Sequence, residues 1–398
     1  MKKISYLCSF FILLFYGAFY VQAEVKFDRE RLFAIPETFN ATQEKLDFEV
    51  SEHIRPILLE GEVFRGKPSR IFAWYGVPTT GKPPYPAVVL VHGGGGSAFS
   101  EWVQRWNERG FVALALDVQG RIPTSPWEGR AISRPLAGGA EVNNLNPADP
   151  LEEQWPFHAV SAIIRAHSLL RSFSEVDKEH IGLVGISWGG FLSCIVAGVD
   201  DRFQYVIPIY GCGFLGDPEL TRTVMPLAKF SEAEQKLWLN DWDPSVYLPN
   251  ATMPVFFITD CDDSAYPLDR WLRSTRLVSQ SPRYFLSHTF GHSHSAGDRP
   301  EAVRFAKAMA QNATMIPVFS NVTLNDAGVT ASFSGGEAPF KAELLYTNEA
   351  FSGQKRVWRV LPAVVHGNTI TAQLPPGCAM AFLNLSDAEG TVSTLVKE

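Results

Sequence analysis

Five largely uninterrupted apolar runs punctuate the first two thirds of the chain: Ala87 to Val91, Val112 to Leu116, Ile181 to Val184, Tyr205 to Ile209 and Val255 to Ile258. Runs of this length without polar alternation read as strands buried on both faces. Between them, apolar residues recur at helical spacing around Trp102 to Arg109, His158 to Leu170 and Phe191 to Val199. Strands alternating with helices predict a mostly parallel sheet flanked by helices, an α/β architecture that places ligands at the carboxyl edge of its strands. Upstream, residues 24–84 carry alternating stretches, Glu62 to Phe64 and Arg70 to Tyr75, that predict antiparallel strands ahead of the Pro/Gly-rich turn Pro78 to Pro86.

The pattern changes near Ile316. Residues 316–398 show about seven short alternating stretches, among them Val329 to Phe333, Ala342 to Tyr346, Val357 to Val360, Thr369 to Gln373 and Ala379 to Leu385, separated by Gly, Asn and Pro turns. A small Ig-like β-sandwich following a catalytic domain over 24–315 is the expected organisation. The Pro- and Gly-rich segment Gln119 to Gln154, with Arg121, Trp127, Arg130, Arg134 and Asn143, leaves the end of a predicted strand. It reads as a pocket-lining loop, with an ordered surface excursion as the plainer alternative.

Composition narrows the class. At 398 residues, 46% hydrophobic and 19% charged, the chain has ordinary globular composition and length for one large and one smaller domain. The amino terminus sets Lys2 and Lys3 before the uncharged stretch Ile4 to Val21 and then Val21-Gln22-Ala23. That order predicts a secretory signal over 1–23, cleaved after Ala23, with an uncleaved anchor as the competing reading. An exported, periplasmic or extracellular protein with no membrane attachment after cleavage is expected. The formal charge of −7 becomes −9 without Lys2 and Lys3 (42 acids against 33 bases), which gives no footing for nucleic acid as a partner. Cleavage takes Cys8 away and leaves Cys194, Cys212, Cys261 and Cys378. In an exported chain these either pair, Cys212 with Cys261 from neighbouring strand tips, or stay as four buried thiols.

Candidate chemistry clusters at the predicted strand ends. Gly185-Ile186-Ser187-Trp188-Gly189-Gly190 joins the strand ending near Val184 to a helix, the context of a nucleophile elbow. A serine hydroxyl needs a base, an acid to orient that base, and amide N–H groups facing the oxyanion. Ser187 is the candidate nucleophile and the Trp188 amide one oxyanion donor. His92-Gly93-Gly94-Gly95-Gly96 follows Ala87 to Val91, so the Gly93 or Gly94 amide is the candidate second donor. A phosphate cradle is disfavoured because no P-loop lysine with Ser/Thr follows. Asp260, Asp262 and Asp263 lie just after the strand Val255 to Thr259, with Asp263 preferred as the acid, and His292 and His294 follow Tyr284 to Ser287 as candidate bases. The order Ser, Asp, His matches one known triad arrangement. Metal hydrolysis is a competing reading of His-x-His near Asp263; His158 and His167 lie on a helical stretch and read as packing or surface residues.

Ala87 to Gly96, Gly185 to Gly190, Asp263-Ser264-Ala265-Tyr266-Pro267 and Gly291-His292-Ser293-His294 resemble α/β-hydrolases of the acetylxylan esterase and dienelactone hydrolase type, and more closely exported bacterial members with a carboxyl-terminal β-sandwich. The resemblance implies the α/β-hydrolase fold, Ser187 as nucleophile, His292 as base, Asp263 as acid and the amides of Trp188 and Gly93 at the oxyanion, and Gly-His in the final loop favours His292 over His294. Dienelactone hydrolases proper use cysteine at the elbow, so Ser187 favours ester over lactone chemistry. The expected activity is serine carboxylic-ester hydrolysis without metal or organic cofactor. Its expected substrates are acyl, especially acetyl, esters of poly- or oligosaccharides. Trp127, Trp155 and Trp188 are candidates for stacking on sugar rings, with core packing the plainer role. A serine peptidase on the same fold and a noncatalytic carbohydrate-binding or cell-surface protein are the alternatives.

Overall fold

The apolar runs lie side by side at the centre of one long sheet. Thr38–Phe39 (β1), Ile54–Glu60 (β2) and Arg70–Gly76 (β3) form its antiparallel start. Tyr85–Val91 (β4) and Val112–Leu116 (β5) follow, then a separate ribbon of Arg121–Pro123 (β6) with Ser133–Pro135 (β7). Val176–Ile186 (β8), Tyr205–Ile209 (β9), Phe256–Asp260 (β10) and Arg283–Ser287 (β11) complete the parallel centre, whose spatial order is β5-β4-β8-β9-β10-β11. Central residues such as Val89, Leu90, Leu114, Leu183 and Ile207 are fully buried, as both-sided coverage by helices requires. The pairings Val91↔Leu116, Val91↔Gly185, Ile186↔Ile209 and Asp260↔Ser287 bring the carboxyl ends of these strands to one edge.

This computed structural model describes residues 27–41, 48–126, 133–140, 145–216, 229–279, 283–311, 316–325, 328–349 and 356–398. The expected signal segment 1–23 with Cys8, and Trp127, Arg130 and Asn143 of the long loop, lie outside them. Among the described residues the α-helices are Arg29–Phe33 (α1), Ser100–Glu108 (α2), Trp155–Leu170 (α3), Trp188–Ala197 (α4), Glu232–Trp242 (α5), Pro244–Tyr247 (α6), Leu268–Thr275 (α7) and Pro300–Ala310 (α8). Every residue of α3 is buried, including Arg165, which meets the buried Glu62 at 2.8 Å. His158 and His167 on this helix are buried, and His167 Nδ1 lies 2.9 Å from Asp200 Oδ2.

Two local expectations shift. Glu62 to Phe64 is not a strand: Glu62 turns inward to Arg165 and Arg31, and Phe64 makes a lone bridge with Lys67. The strand is β2, eight residues upstream, where Pro56 is tolerated because β1 covers only Leu58 and Leu59 on that side. Helix α5 was not foreseen, although Ser231 and Glu234 form a complete capping box at its start.

The carboxyl-terminal strands are Val318–Asn325 (β12), Gly328–Ser334 (β13), Lys341–Thr347 (β14), Arg359–His366 (β15), Thr369–Ala372 (β16), Met380–Asp387 (β17) and Gly390–Lys397 (β18). The strand expected at Val357 to Val360 lies further along, as β15. They run antiparallel in the order β18-β17-β14-β15-β16-β13-β12, and β12 folds back against β18. These strands continue the main sheet, because β18 pairs with β11 at Tyr284↔Ser393. Polar contacts fix that seam: Ser393 Oγ accepts the Leu286 N–H at 2.8 Å, Tyr284 Oη accepts the Leu395 N–H at 2.6 Å, and Arg304 of α8 forms a buried ion pair with Asp387.

Candidate active site

The elbow begins with a conformation that costs energy. Ser187 has φ 56° and ψ −114°, a region non-glycine residues avoid, and it persists because the surroundings over-determine it. Its N–H donates to Ile209 O at 2.8 Å, while its carbonyl accepts the Phe191 N–H at 2.9 Å and starts α4. The flanking glycines are sterically required: a Cβ on Gly185 would collide with the Gly189 carbonyl, and one on Gly189 with the Val91 carbonyl at the tip of β4. The side chain is thereby lifted out of the helix at the carboxyl edge of the sheet.

Across from it, His292 Nε2 lies 2.9 Å from Ser187 Oγ, and His292 Nδ1 lies 2.8 Å from Asp263 Oδ2. A carboxylate only accepts, so Nδ1 carries the proton and Nε2 is free to accept the serine proton. The Asp263 side chain is fully buried, and its other oxygen accepts the Ala265 and Tyr266 N–H groups at 2.7 and 3.0 Å. Asp260 does different work. Its Oδ2 accepts the Phe290 and Gly291 N–H groups at 3.0 and 3.2 Å, fixing the turn that presents His292. Asp262 is exposed.

Two tyrosines absent from the sequence-based candidates lie nearly parallel to the imidazole. Tyr210 stacks on His292 with ring centroids 4.3 Å apart and is anchored by its hydroxyl donating to Gly291 O at 2.6 Å; Tyr266 lies parallel on the ring at 6.2 Å. The Tyr266 hydroxyl is buried near the Ser187 side chain without completing a hydrogen bond of normal geometry. Burial pushes both phenols well above the ordinary tyrosine range and keeps them neutral. Their only sequence signal was position: Tyr210 directly follows β9, and Tyr266 belongs to the Asp263 motif.

The glycine-rich strap after β4 separates the candidate donors. His92 is buried, and its Nδ1 lies 2.8 Å from the Gly93 carbonyl, which also accepts the Gly96 N–H at 3.0 Å. The Gly93–Gly94 peptide is trans, so the Gly94 N–H points opposite to that held carbonyl, away from the His92 ring, and Gly94 itself is exposed. The Gly93 N–H is engaged otherwise: it donates to His294 Nε2 at 2.9 Å. The amide of Trp188 opens the first turn of α4, where N–H groups lack intrahelical acceptors.

The two histidines of Gly291-His292-Ser293-His294 therefore address different partners, and their ring nitrogens do not converge with Asp263 as a metal-ligand set would. Asp260, Cys261 and Asp262 do bring ligand atoms within 4.8 Å of one another, but Asp260 is committed to the Phe290–Gly291 turn. Trp155 is buried, donates its indole N–H to Val118 O at 2.7 Å and packs edge-on against Trp188 at 5.0 Å, so it is a wall of the core. The pairing of Cys212 with Cys261 is not made. Cys194, Cys212, Cys261 and Cys378 are buried free thiols, and Cys261 is drawn to β11 by its N–H donating to Ser287 O.

The sequence of residues 38–245 matches the family model described as Acetyl xylan esterase (AXE1). Among solved structures, the chain is similar to acetyl xylan esterase 1 from Thermoanaerobacterium sp., at 20% identity and TM-score 0.54, with 71% of this chain and 90% of that one covered. It is similar in the same degree to an acetyl xylan esterase from a Paenibacillus sp., at 20% identity and TM-score 0.54, covering 73% of this chain and 93% of the other. At this identity the structural likeness establishes the α/β-hydrolase fold.

Proposed function

As the chain belongs to the acetyl xylan esterase family, whose model spans just over half of its length, we propose that this carboxylic-ester hydrolase removes acetyl groups from xylan-type carbohydrate by way of an acetyl-enzyme on Ser187. The observation that carries the serine mechanism is the continuous line Ser187 Oγ, His292 Nε2, His292 Nδ1, Asp263 Oδ2, with steps of 2.9 and 2.8 Å.

Ser187 Oγ attacks the acetyl carbonyl carbon while His292 Nε2 takes its proton. Negative charge on the carbonyl oxygen falls to the amides of Trp188 and, of the two strap candidates, Gly94. The imidazolium is stabilised by the Asp263 carboxylate and by the ring face of Tyr210. It returns the proton to the sugar oxygen as the C–O bond breaks, leaving acetyl-Ser187. His292 then deprotonates a water that attacks the acetyl carbon, and acetate departs as Ser187 regains its proton. Every step is served by side chains and amides of this chain.

The amino-terminal signal pattern and the polymeric substrate class together support export of the enzyme. We take residues 24–315 as the catalytic portion and 316–398 as the attached β unit. The test is acetate release from acetylated xylan, and 4-nitrophenol release from 4-nitrophenyl acetate, by protein from Glu24 onward and its Ser187→Ala variant. Activity in the parent and its loss in a folded variant is the expected result. Equal activity in both overturns the serine mechanism, and activity on the small ester alone overturns the xylan assignment.

A further inference from the structure

The second histidine of the base loop is unused by the mechanism above, yet it sits on the strap that carries an oxyanion donor. We propose that His294 is a positioning residue of the oxyanion hole, holding the Gly93 peptide from the outer side while His92 holds it from the interior. The inference rests on Ser187 acting as nucleophile with Gly94 as a donor.

The geometry supplies the argument. The Gly93 N–H is the donor to His294 Nε2, so that nitrogen must present its lone pair, which requires a neutral imidazole with its proton on Nδ1. The Gly93 carbonyl, on the other side of the same residue, is held by His92 Nδ1. With both polar groups of Gly93 fixed, the plane of the next peptide, and with it the direction of the Gly94 N–H, is fixed too. A glycine-rich strap lacks side chains to do this for itself, and its conformational freedom is what the two histidines remove.

His294 is itself held to the helix that follows the strap. Its ring meets Phe99 edge-on at 5.4 Å. Beyond it, Gly297 O accepts the Trp102 indole N–H at 3.3 Å, and Asp298 is paired with Arg105 of α2 and with Arg109, which caps that helix. The segment that delivers the base is thus fastened to the segment that delivers the donor. His294 joins the two at the residue next to the proposed donor.

Oxyanion donors act through placement, and a misplacement of about 1 Å can cost about 100-fold in rate. Replacing His294 by leucine removes the acceptor and leaves the Gly93 N–H without its partner. Glutamine offers an amide oxygen at nearly the same reach and restores one. The experiment compares wild type, His294→Leu and His294→Gln in kcat and KM on 4-nitrophenyl acetate and in affinity for phenylboronic acid, which forms a tetrahedral adduct on a catalytic serine. The expected result is a kcat lowered about 100-fold in the leucine variant at nearly constant KM, a matching loss of boronate affinity, and recovery of most of both in the glutamine variant. Full kcat in His294→Leu overturns the proposal. So does an equal fall in both variants with unchanged circular dichroism, or a rise in KM alone, which assigns His294 to substrate contact. Residual activity of Ser187→Ala measured alongside identifies failure of the underlying serine mechanism instead.

Discussion

At the scale of single residues, the three aspartates after β10 show what chemistry in a sequence leaves undecided. Asp260, Asp262 and Asp263 lie within four positions of one another, and the order Ser, Asp, His admits each of them. Their roles separate only through which way the turn sends each side chain. Asp263 reaches His292, Asp260 holds the turn before it, and Asp262 faces solvent. Asp263→Asn is expected to lower kcat by about 1,000- to 10,000-fold, since an amide facing Nδ1 favours the wrong tautomer, whereas Asp262→Asn is expected to leave kcat within about twofold, as for an exposed surface change. Steady-state kinetics on 4-nitrophenyl acetate separate the two, and a large loss in the Asp262 variant contradicts the assignment. Ser187, His292 and the glycine strap stand out in the sequence as candidates because each follows a recognisable strand. Tyr210 and Tyr266 were not, because stacking on an imidazole has no sequence spacing.

The thiols give a second residue-scale test. Burial pushes Cys194, Cys212 and Cys261 well above the ordinary thiol range, so little thiolate is available near neutral pH. A disulfide-exchange chromophore such as 5,5′-dithiobis(2-nitrobenzoate) is expected to label these three slowly in native protein and rapidly in guanidinium. Rapid native labelling of any of them contradicts their placement in the core.

At the scale of elements, the apolar runs fixed most of the parallel strands to within a residue or two. A buried parallel strand must be apolar throughout and has few other ways to be built. The antiparallel start was harder to read. Pro56 disguises β2, and the position of β1 that makes Pro56 tolerable is a tertiary fact. The same limit applies at the other end, where the pairing of β18 with β11 that joins the carboxyl-terminal strands to the main sheet has no signal in the sequence. Deleting residues 316–398 therefore strips the outer neighbour from β11 and leaves Arg304 without Asp387. An exposed edge and an unpaired buried charge are both penalised. The truncated protein is expected to aggregate or to lose its cooperative thermal transition, as size-exclusion chromatography and calorimetry will register; a soluble, fully active truncation contradicts this.

For the whole molecule, stability is expected to depend on pH through a buried pair that ties α3 to the turn after α4. His167 Nδ1 and Asp200 Oδ2 lie 2.9 Å apart, with Arg202 on the same carboxylate. Burial outweighs the attraction of Asp200 and pushes the His167 imidazole below its ordinary range. Burial alone would raise Asp200, but hydrogen bonds from Arg202 and His167 hold it below the carboxylate range. In both cases the unfolded chain binds protons that the folded one refuses, so stability rises with pH across each window. The histidine contribution is present above about pH 6.5 and is lost as pH falls below it, with the aspartate contribution following below about pH 4. His158, also pushed down by burial, acts in the same direction. The thermal midpoint is expected to drop between pH 7 and pH 5, and to drop less in His167→Gln, which starts from a lower midpoint at pH 7. An equal slope in both proteins contradicts the assignment.

The most direct test of the central claim is to catch the acetyl group on the enzyme. Protein mixed with excess 4-nitrophenyl acetate and quenched in acid within the first turnovers is digested, and the peptide spanning Gly185 to Gly190 is weighed by mass spectrometry. The account predicts one added acetyl group on Ser187, absent from Ser187→Ala and abundant enough to match a burst of 4-nitrophenol. An enzyme that turns over normally with that peptide unmodified, or that carries the acetyl group on another residue, contradicts it.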